Sequence, residues 1–418
     1  MKTLRLGLAG LGMIVDETYR PLLRDLLERP LLMPNRELVD VRLDAVASRT
    51  GAKAVAIAAE LNPKLVSFIG STAGLQLALS DVDIVAVATP DHRHFEIARN
   101  ALAHGKHVLI EKPSVLSLSE LDELIALAEA KQCVCKVVYH KLLDPDHKKL
   151  HTHVVDGKLR HVNHGYCSLF EPRSIATNQF AEWIIGRNPA TYVAIHYIKL
   201  IDWTFGPNWK LRRITAEAQQ GLVRPSPSPP VTWDSVQLRI VYEHPDGREA
   251  SFDIHTNWTM PDNYPGYVEQ EVQFFFDTGT WQASQRKRGV EITLSDGTAK
   301  PTPNHHYNAD VLEPWGQRHQ RGYGLDAIER ILHEIAFVDH GGPDSERESR
   351  YRTVSAMTYN DIRAERNCVA VVQALEVILS DAAIGKHGSV GFVNHELGGL
   401  VLCRSGNSDA KVCYRNQV

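Results

Sequence analysis

Short apolar runs alternate with helical patterns over the first 140 or so residues, and this alternation constrains the fold most. Residues 4–9, 38–47, 66–68, 83–88, 107–110 and 134–138 read as strands. Residues 52–61, 94–104 and 118–131 read as helices, the last opened by a Ser117-x-x-Glu120 capping box. Strand and helix in strict turn imply right-handed crossovers and a parallel sheet. Open sheets of this kind present their ligand chemistry just past the strands' carboxyl ends.

The residues at those ends are therefore the candidates. The first strand runs into Gly10-Leu11-Gly12-Met13-Ile14-Val15, a dinucleotide fingerprint without its third glycine. Gly10 permits a tight turn and Gly12 a close backbone approach to a pyrophosphate. Met13 and Ile14 open a helix whose amides face the phosphates. The next strand ends in Ser48-Arg49 where an acid would read the ribose of NAD. Arg49 offers a cation to a 2′-phosphate, which leans the cofactor from NAD toward NADP; a stacking role on adenine suits either. An insertion around residues 29–35 explains the long spacing from Gly12. Thr89-Pro90, with His94 beyond, closes a further strand, and Asp91 there also suits a plain helix cap. Glu111-Lys112-Pro113 follows residues 107–110 and sets an ammonium beside a carboxylate able to tune it. Proline biases Lys112 toward extended backbone. Taken alone, such a pair is ordinarily a solvated surface feature.

A chain of 418 residues suggests two domains. A net charge of −4 argues against nucleic-acid and membrane-surface partners. No apolar run approaches the ~20 residues of a membrane span, and the first residues enter a strand without a signal-peptide segment. Six cysteines in this length form no disulfide framework; Cys133 and Cys135 read as core. A cytoplasmic location is expected.

Gly10-x-Gly12, Ala88-Thr89-Pro90-x-x-x-His94 and Glu111-Lys112-Pro113, in this order and spacing, resemble the Gfo/Idh/MocA oxidoreductases. Gly279-Thr280-Trp281, Ser284 to Gly289 and Tyr323 to Glu329 extend the likeness to about residue 388. The resemblance implies an N-terminal Rossmann NAD(P)-binding domain (1–138) and a C-terminal α+β domain (139–388) with an open, mostly antiparallel sheet. It leaves a tail (389–418) of unclear role. It also implies a homodimer or homotetramer, and a catalytic Lys112 with Glu111 beside it at the cofactor.

Alternating patterns at 160–170, 235–243, 250–258 and 269–276 read as the second domain's strands. In residues 191–203, Tyr192, His196 and Lys199 fall at i, i+4 and i+7, one face of a helix. His196 matches the family's histidine, while Tyr192 and Lys199 stand where it commonly has acids. That makes the site more positive and an anionic sugar more attractive. A satisfied core histidine and a structural lysine are the plain alternatives. Tyr139, His140 and Lys141 are further candidates for the substrate side, with a surface placement open for Lys141. Glu182, Arg187, Asn188, Asn257, Trp258 and Tyr264 are possible sugar contacts. His305-His306 and His151-x-His153 lack a partner at metal-ligand spacing, so no metal is expected.

The leading expectation is an NAD(P)-dependent dehydrogenase or reductase acting on a hydroxyl of a sugar, sugar acid or cyclitol. Lys112 and His196 would share proton handling. A second is an NAD-dependent glycosidase working by transient oxidation and elimination on a retained cofactor, with Tyr192 as base. A third is a non-catalytic cofactor-binding sensor, against which an intact Glu111-Lys112-Pro113 argues.

Overall fold

The computed structural model describes all residues except 1, 182, 225–229, 265–267, 287–294, 296–303, 395–398, 404–410 and 415–418. The chain begins with β1 (Lys2–Ala9), α1 (Arg20–Leu26), β2 (Leu31–Leu32), β3 (Leu38–Ser48), α2 (Ala54–Leu61) and β4 (Val66–Ile69). It continues through α3 (Ala73–Leu79), β5 (Ile84–Val87), α4 (His94–Ala103), β6 (His107–Glu111), α5 (Leu118–Lys131) and β7 (Cys135–Val138). Then come α6 (Pro145–Val155), β8 (Val162–Pro172), α7 (Ile195–Phe205), β9 (Lys210–Gln219), β10 (Ser235–Glu243), β11 (Glu249–Met260), β12 (Glu269–Phe276) and β13 (Gly279–Ser284). Last are β14 (Ala309–Leu312), β15 (Arg318–Arg321), α8 (Tyr323–His340), α9 (Arg347–Ser355), α10 (Arg366–Ala383), β16 (Val390–Asn394), β17 (Gly399–Cys403) and β18 (Lys411–Tyr414).

These elements form two compact units: Met1–Asp144 with His305–Arg366, and Pro145–Asn304 with Asn367–Val418. The expected domains are contiguous; the units are not, because residues 305–366 return to the first.

In the first unit the strand order is β2-β3-β1-β5-β6-β7, with β4 also on β3. All pairs are parallel except β2 with β3. Without β2 this is the doubly wound dinucleotide-binding order, its switch point between β1 and β5. β2 pairs Leu31 with Val39 and Leu32 with Leu38, so the expected insertion is a hairpin arm. α3 is an addition to the sequence reading. Gly74 weakens its helical pattern, yet a Cβ there would lie 2.8 Å from Ile97 of α4, so the glycine serves packing. The core joins Leu4, Leu6 and Leu8 of β1 to Leu325, Ile328, Ile331, Leu332 and Ile335 of α8. Lys136 of β7 is fully buried; its Nζ donates to the carbonyls of Val354 (3.1 Å) and Met357 (3.0 Å), with Glu334 and Asp361 each 3.5 Å away. A buried ammonium persists only with such a complete set of partners.

In the second unit the strand order is β13-β12-β8-β11-β10-β9-β16-β17-β18, antiparallel throughout except β8 with β11. β11 and β12 bury alternate residues, and β10 does so as far as Ile240, as a sheet covered on one face must. Phe205 of α7 packs on that covered face, 5.3 Å from the Phe252 ring and 5.5 Å from the Phe274 ring. β9 was not expected because Arg212, Arg213 and Glu217 interrupt its alternation. The segment after residue 388, read as a tail, adds β16–β18 to this sheet. Among the described residues, no helix is long and apolar enough to cross a membrane.

Candidate functional site

The turn after β1 is built around two glycines with different duties. Gly10 has φ +91° and donates its amide to Ala47 O at 2.8 Å. A Cβ on it would sit 2.3 Å from Ala88 O, so the ends of β1 and β5 close up only over glycine. Nothing lies within 4 Å of where a Gly12 Cβ would be. The Gly12 carbonyl accepts from Val15 (3.2 Å) and Asp16 (3.4 Å), which starts the helical run at Met13 and Ile14. Thr89 Oγ1, past β5, is shielded from solvent and has no hydrogen-bond partner among the described residues. The open space over Gly12, the helix start at Met13 and the waiting hydroxyl of Thr89 fit a dinucleotide along this edge. Past β3, Ser48 Oγ accepts from Gly51 N at 2.9 Å, so its hydroxyl shapes the turn, while Arg49 is exposed.

Past β6 the surroundings of Lys112 are almost entirely buried. Glu111 is 5% exposed, and its Oε1 accepts from Tyr19 Oη at 3.0 Å. Burial pushes the Glu111 carboxyl up to about 7, against the opposing pull of Lys112 and Tyr19. Tyr19, fully buried on the π-helical turn Val15–Tyr19, has its phenol raised, first by burial and then by Glu111. His94 is buried with its Nδ1 2.8 Å from Pro113 O and its Nε2 2.8 Å from Thr89 O. It therefore bridges the loop bearing Pro90 to the one bearing Lys112. Burial lowers its proton affinity, and the Lys112 charge lowers it further; a neutral ring donates to one of the two carbonyls.

His140, just past β7, is 4% exposed, and its Nε2 has no hydrogen-bond partner among the described residues. Burial first, then Lys112 and Lys141, push it down to about 3. Its ring meets Tyr307 edge-on at 5.8 Å. Tyr139 is turned to other work, its hydroxyl donating to the buried Glu365 at 2.7 Å. Lys141 is buried, not on the surface.

Tyr19 and Tyr307 are site residues that sequence reasoning missed. Val15, Tyr19, Leu22 and Leu26 share a helical stripe, so Tyr19 reads as core. Tyr307 lies far along the chain and comes to Lys112's neighbourhood only with the return of 305–366.

The second unit holds Tyr192, His196 and Lys199. Tyr192 lies on a π-helical turn, Ala190–Ala194, ahead of α7, which alters the α-helical register expected between it and His196. Its half-buried ring packs against Phe180 (4.8 Å), Trp183 (5.5 Å) and Trp258 (6.4 Å). His196 is 9% exposed and Lys199 1%. Ile195, Tyr197, Ile198, Leu200 and Ile201 are buried too, so α7 has no exposed face for a stripe to mark. Of the possible sugar contacts, Asn188 is a capping residue: its Oδ1 accepts from Thr191 N at 2.8 Å and its Nδ2 donates to Glu376 at 3.0 Å. Trp258 is fully buried, its indole donating to Glu171 at 2.8 Å. Tyr264 pairs with Glu269 and Arg286, and Asn257 Oδ1 accepts from Thr259 N. Arg187 is half-buried near Glu376, and Glu182 lies outside the described residues. His151 stacks on Trp203 at 3.7 Å, and His153 tilts against Trp281. No cluster of three metal-ligating side chains occurs among the described residues.

Residues 4–139 match the family model GFO_IDH_MocA, described as "Oxidoreductase family, NAD-binding Rossmann fold". The scyllo-inositol 2-dehydrogenase (NADP(+)) IolU of Bacillus subtilis (strain 168) is 34% identical over 135 residues, 31% of this chain and 39% of that protein. A glycosyl hydrolase family 109 protein of Streptomyces niveus is 47% identical over 58 residues, 14% of this chain and 12% of that protein. The matched stretches thus span well under half of either relative. The crystal structure of GenD2 from gentamicin A biosynthesis, in complex with NAD, superposes with a TM-score of 0.61 at 20% identity, over 94% of this chain and 97% of that one. At that identity the likeness speaks for the fold. Residues 4–139 are thus similar to the NAD-binding Rossmann domain of the Gfo/Idh/MocA oxidoreductases.

Proposed function

We propose that the protein is an NAD(P)-dependent dehydrogenase or reductase acting on a hydroxyl of a sugar, sugar acid or cyclitol. The observation that carries this reading is the setting of Lys112. It lies at the carboxyl end of β6, its charge felt by the buried Glu111, His94 and His140. The Gly10–Gly12 turn, Met13, Ile14, Thr89 and Pro90 hold the dinucleotide. Arg49 meets a 2′-phosphate, which favours NADP. When bound, the nicotinamide supplies the hydride acceptor or donor. Lys112 handles the hydroxyl proton and shares that work with His196. General acid–base transfer of this kind contributes ~10²–10⁴-fold. Lys199 and His140 serve the substrate, which Lys199 biases toward an anion. A homodimer or homotetramer, paired through the open face of the nine-stranded sheet, completes the proposal.

A second reading has a specific observation behind it: the 47% identity to the family 109 glycosyl hydrolase exceeds the 34% to the inositol dehydrogenase, although over a shorter stretch. There Tyr192 acts as base and no reduced cofactor accumulates. A panel of sugars, sugar acids, cyclitols and aryl glycosides separates the two. Reduced cofactor formed from a free sugar supports the dehydrogenase. Aglycone release without it supports the glycosidase. Turnover retained in Lys112→Ala sinks the assignment of the proton to Lys112.

A further inference from the structure

Behind Lys112 lies a buried pair that the proposed reaction does not yet use. Glu111 and Tyr19 are both shut off from solvent and joined by a 3.0 Å hydrogen bond, Tyr19 donating. A carboxyl group is costly to bury unless it is neutral or paired; here Tyr19 donates to it, and the Lys112 charge opposes the effect of burial. Tyr19 reaches it from the π-helical turn that follows the glycines, and Lys112 is its chain neighbour. The other groups around the cluster are His94, hydrogen-bonded to backbone, His140 with Lys141 beside it, and Tyr307, whose phenol bears on Tyr19. Glu111 is an acidic side chain of this set on which the Lys112 charge acts.

We propose that Glu111 and Tyr19 are positioning residues that set the proton on Lys112: the Glu111 carboxylate holds it on Nζ, the neutral Glu111 acid loosens it, and Tyr19 fixes which form prevails. Tyr19 stabilises the carboxylate by donating to it, so it strengthens the hold. The two titrations are those of a coupled pair, with proton steps belonging to both groups. The buried Glu111 carboxyl, pushed up to about 7, places its own step in the working range. The role in turnover rests on the dehydrogenase reading. In oxidation, neutral Lys112 takes the hydroxyl proton as the C–H electron pair leaves with the hydride; in reduction, the ammonium returns that proton to the carbonyl oxygen. Glu111 thus sets the pH range in which the form of Lys112 needed for each direction is available.

The test is titration of ¹³C-dimethylated lysines by NMR in the full-length protein without cofactor or substrate. The Lys112 signal is identified by its absence in Lys112→Arg. In the wild type this signal bends with the Glu111 step. In Glu111→Gln the bend is gone, and Lys112's own midpoint falls by at least about one unit, tenfold in acid strength. In Tyr19→Phe the bend moves to higher pH. Circular dichroism melts of both near-isosteric variants show that the fold is kept. A Lys112 titration unchanged in Glu111→Gln overturns the inference even if the enzyme turns over. Failure of every sugar in the panel overturns the dehydrogenase reading and leaves the lysine titration interpretable. With turnover in hand, the rise of oxidation kcat with pH shifts to lower pH in Glu111→Gln; a uniform loss at every pH means a merely structural residue.

Discussion

The Tyr139 hydroxyl donates to the Glu365 carboxylate at 2.7 Å, both side chains buried, and so ties the end of β7 to the chain segment that returns from residue 305. A residue that sequence places on the substrate side is thereby committed to holding the first unit together. Removing the hydroxyl leaves a buried carboxylate short of a donor, a loss of about 1–3 kcal/mol. Tyr139→Phe therefore lowers the urea midpoint and leaves KM unchanged. A raised KM at unchanged stability would return Tyr139 to the substrate.

Gly10 and Gly12 separate fold from ligand. Gly10→Ala drives a Cβ to 2.3 Å from Ala88 O at a φ of +91°, so the turn itself must move. Strain and clash together cost about 3 kcal/mol or more, read as a lowered Tm. Gly12→Ala meets no protein atom within 4 Å. Its Tm stays close to wild type, while calorimetry shows cofactor affinity falling at least about tenfold, ~1.4 kcal/mol. Equal cofactor affinity in Gly12→Ala and wild type would mean that nothing binds close to this backbone.

His140 and Glu111 work against each other on acidification. His140 falls from 6.5 in the unfolded chain to about 3 when folded, so the unfolded state binds the extra proton between those values. Its stabilising contribution is present above pH 6.5 and is lost, up to about 1.4 kcal/mol per pH unit, as pH falls toward 3. Glu111 is raised from 4.5 to about 7, so its contribution is full below 4.5 and is lost as pH rises to 7. The two offset one another between pH 4.5 and 6.5. His140→Phe, which keeps an aromatic edge toward Tyr307, gains stability relative to wild type at pH 5 over pH 7 in paired denaturation curves. Parallel pH dependence in the two proteins would contradict a buried neutral imidazole.

Lys199 tests the charge of the substrate. Its ammonium is 1% exposed, and a charge-assisted hydrogen bond to an anion is worth roughly 1.5–3 kcal/mol. Lys199→Met raises KM about tenfold or more for a carboxylate or phosphate substrate and leaves a neutral analogue little changed, with kcat moving less than kcat/KM. Equal losses on both substrates would make Lys199 a residue of the fold.

The Rossmann unit is legible because its signals are local. Short apolar runs, the Gly10–Gly12 turn and the Glu111-Lys112-Pro113 corner each declare themselves within a few residues. The arrangement around Lys112 is legible only in part. Glu111 and His94 stand in the motifs, but Tyr19 hides in an apolar stripe, and Tyr307 arrives from the far end of the chain. In α7 the pattern misleads for a different reason. A helix buried all round carries no amphipathic contrast, so a polar spacing such as that of His196 and Lys199 does not mark a face. The π-helical turn at Tyr192 is invisible to a reading that assumes one helical period.

The return of residues 305–366 to the first unit has a consequence for the order in which the protein is made. During synthesis the Rossmann strands leave the ribosome long before α8, which completes their core through Leu325, Ile328, Ile331, Leu332 and Ile335. Lys136 and Tyr139 likewise wait for Glu334, Asp361 and Glu365. The half-built sheet must therefore keep its apolar face and its buried ammonium uncovered while the whole insert from Pro145 to Asn304 is translated. Maturation of the nucleotide-binding unit thus waits for translation of residues 305–366, and a nascent chain stalled within the insert is a natural client for chaperones.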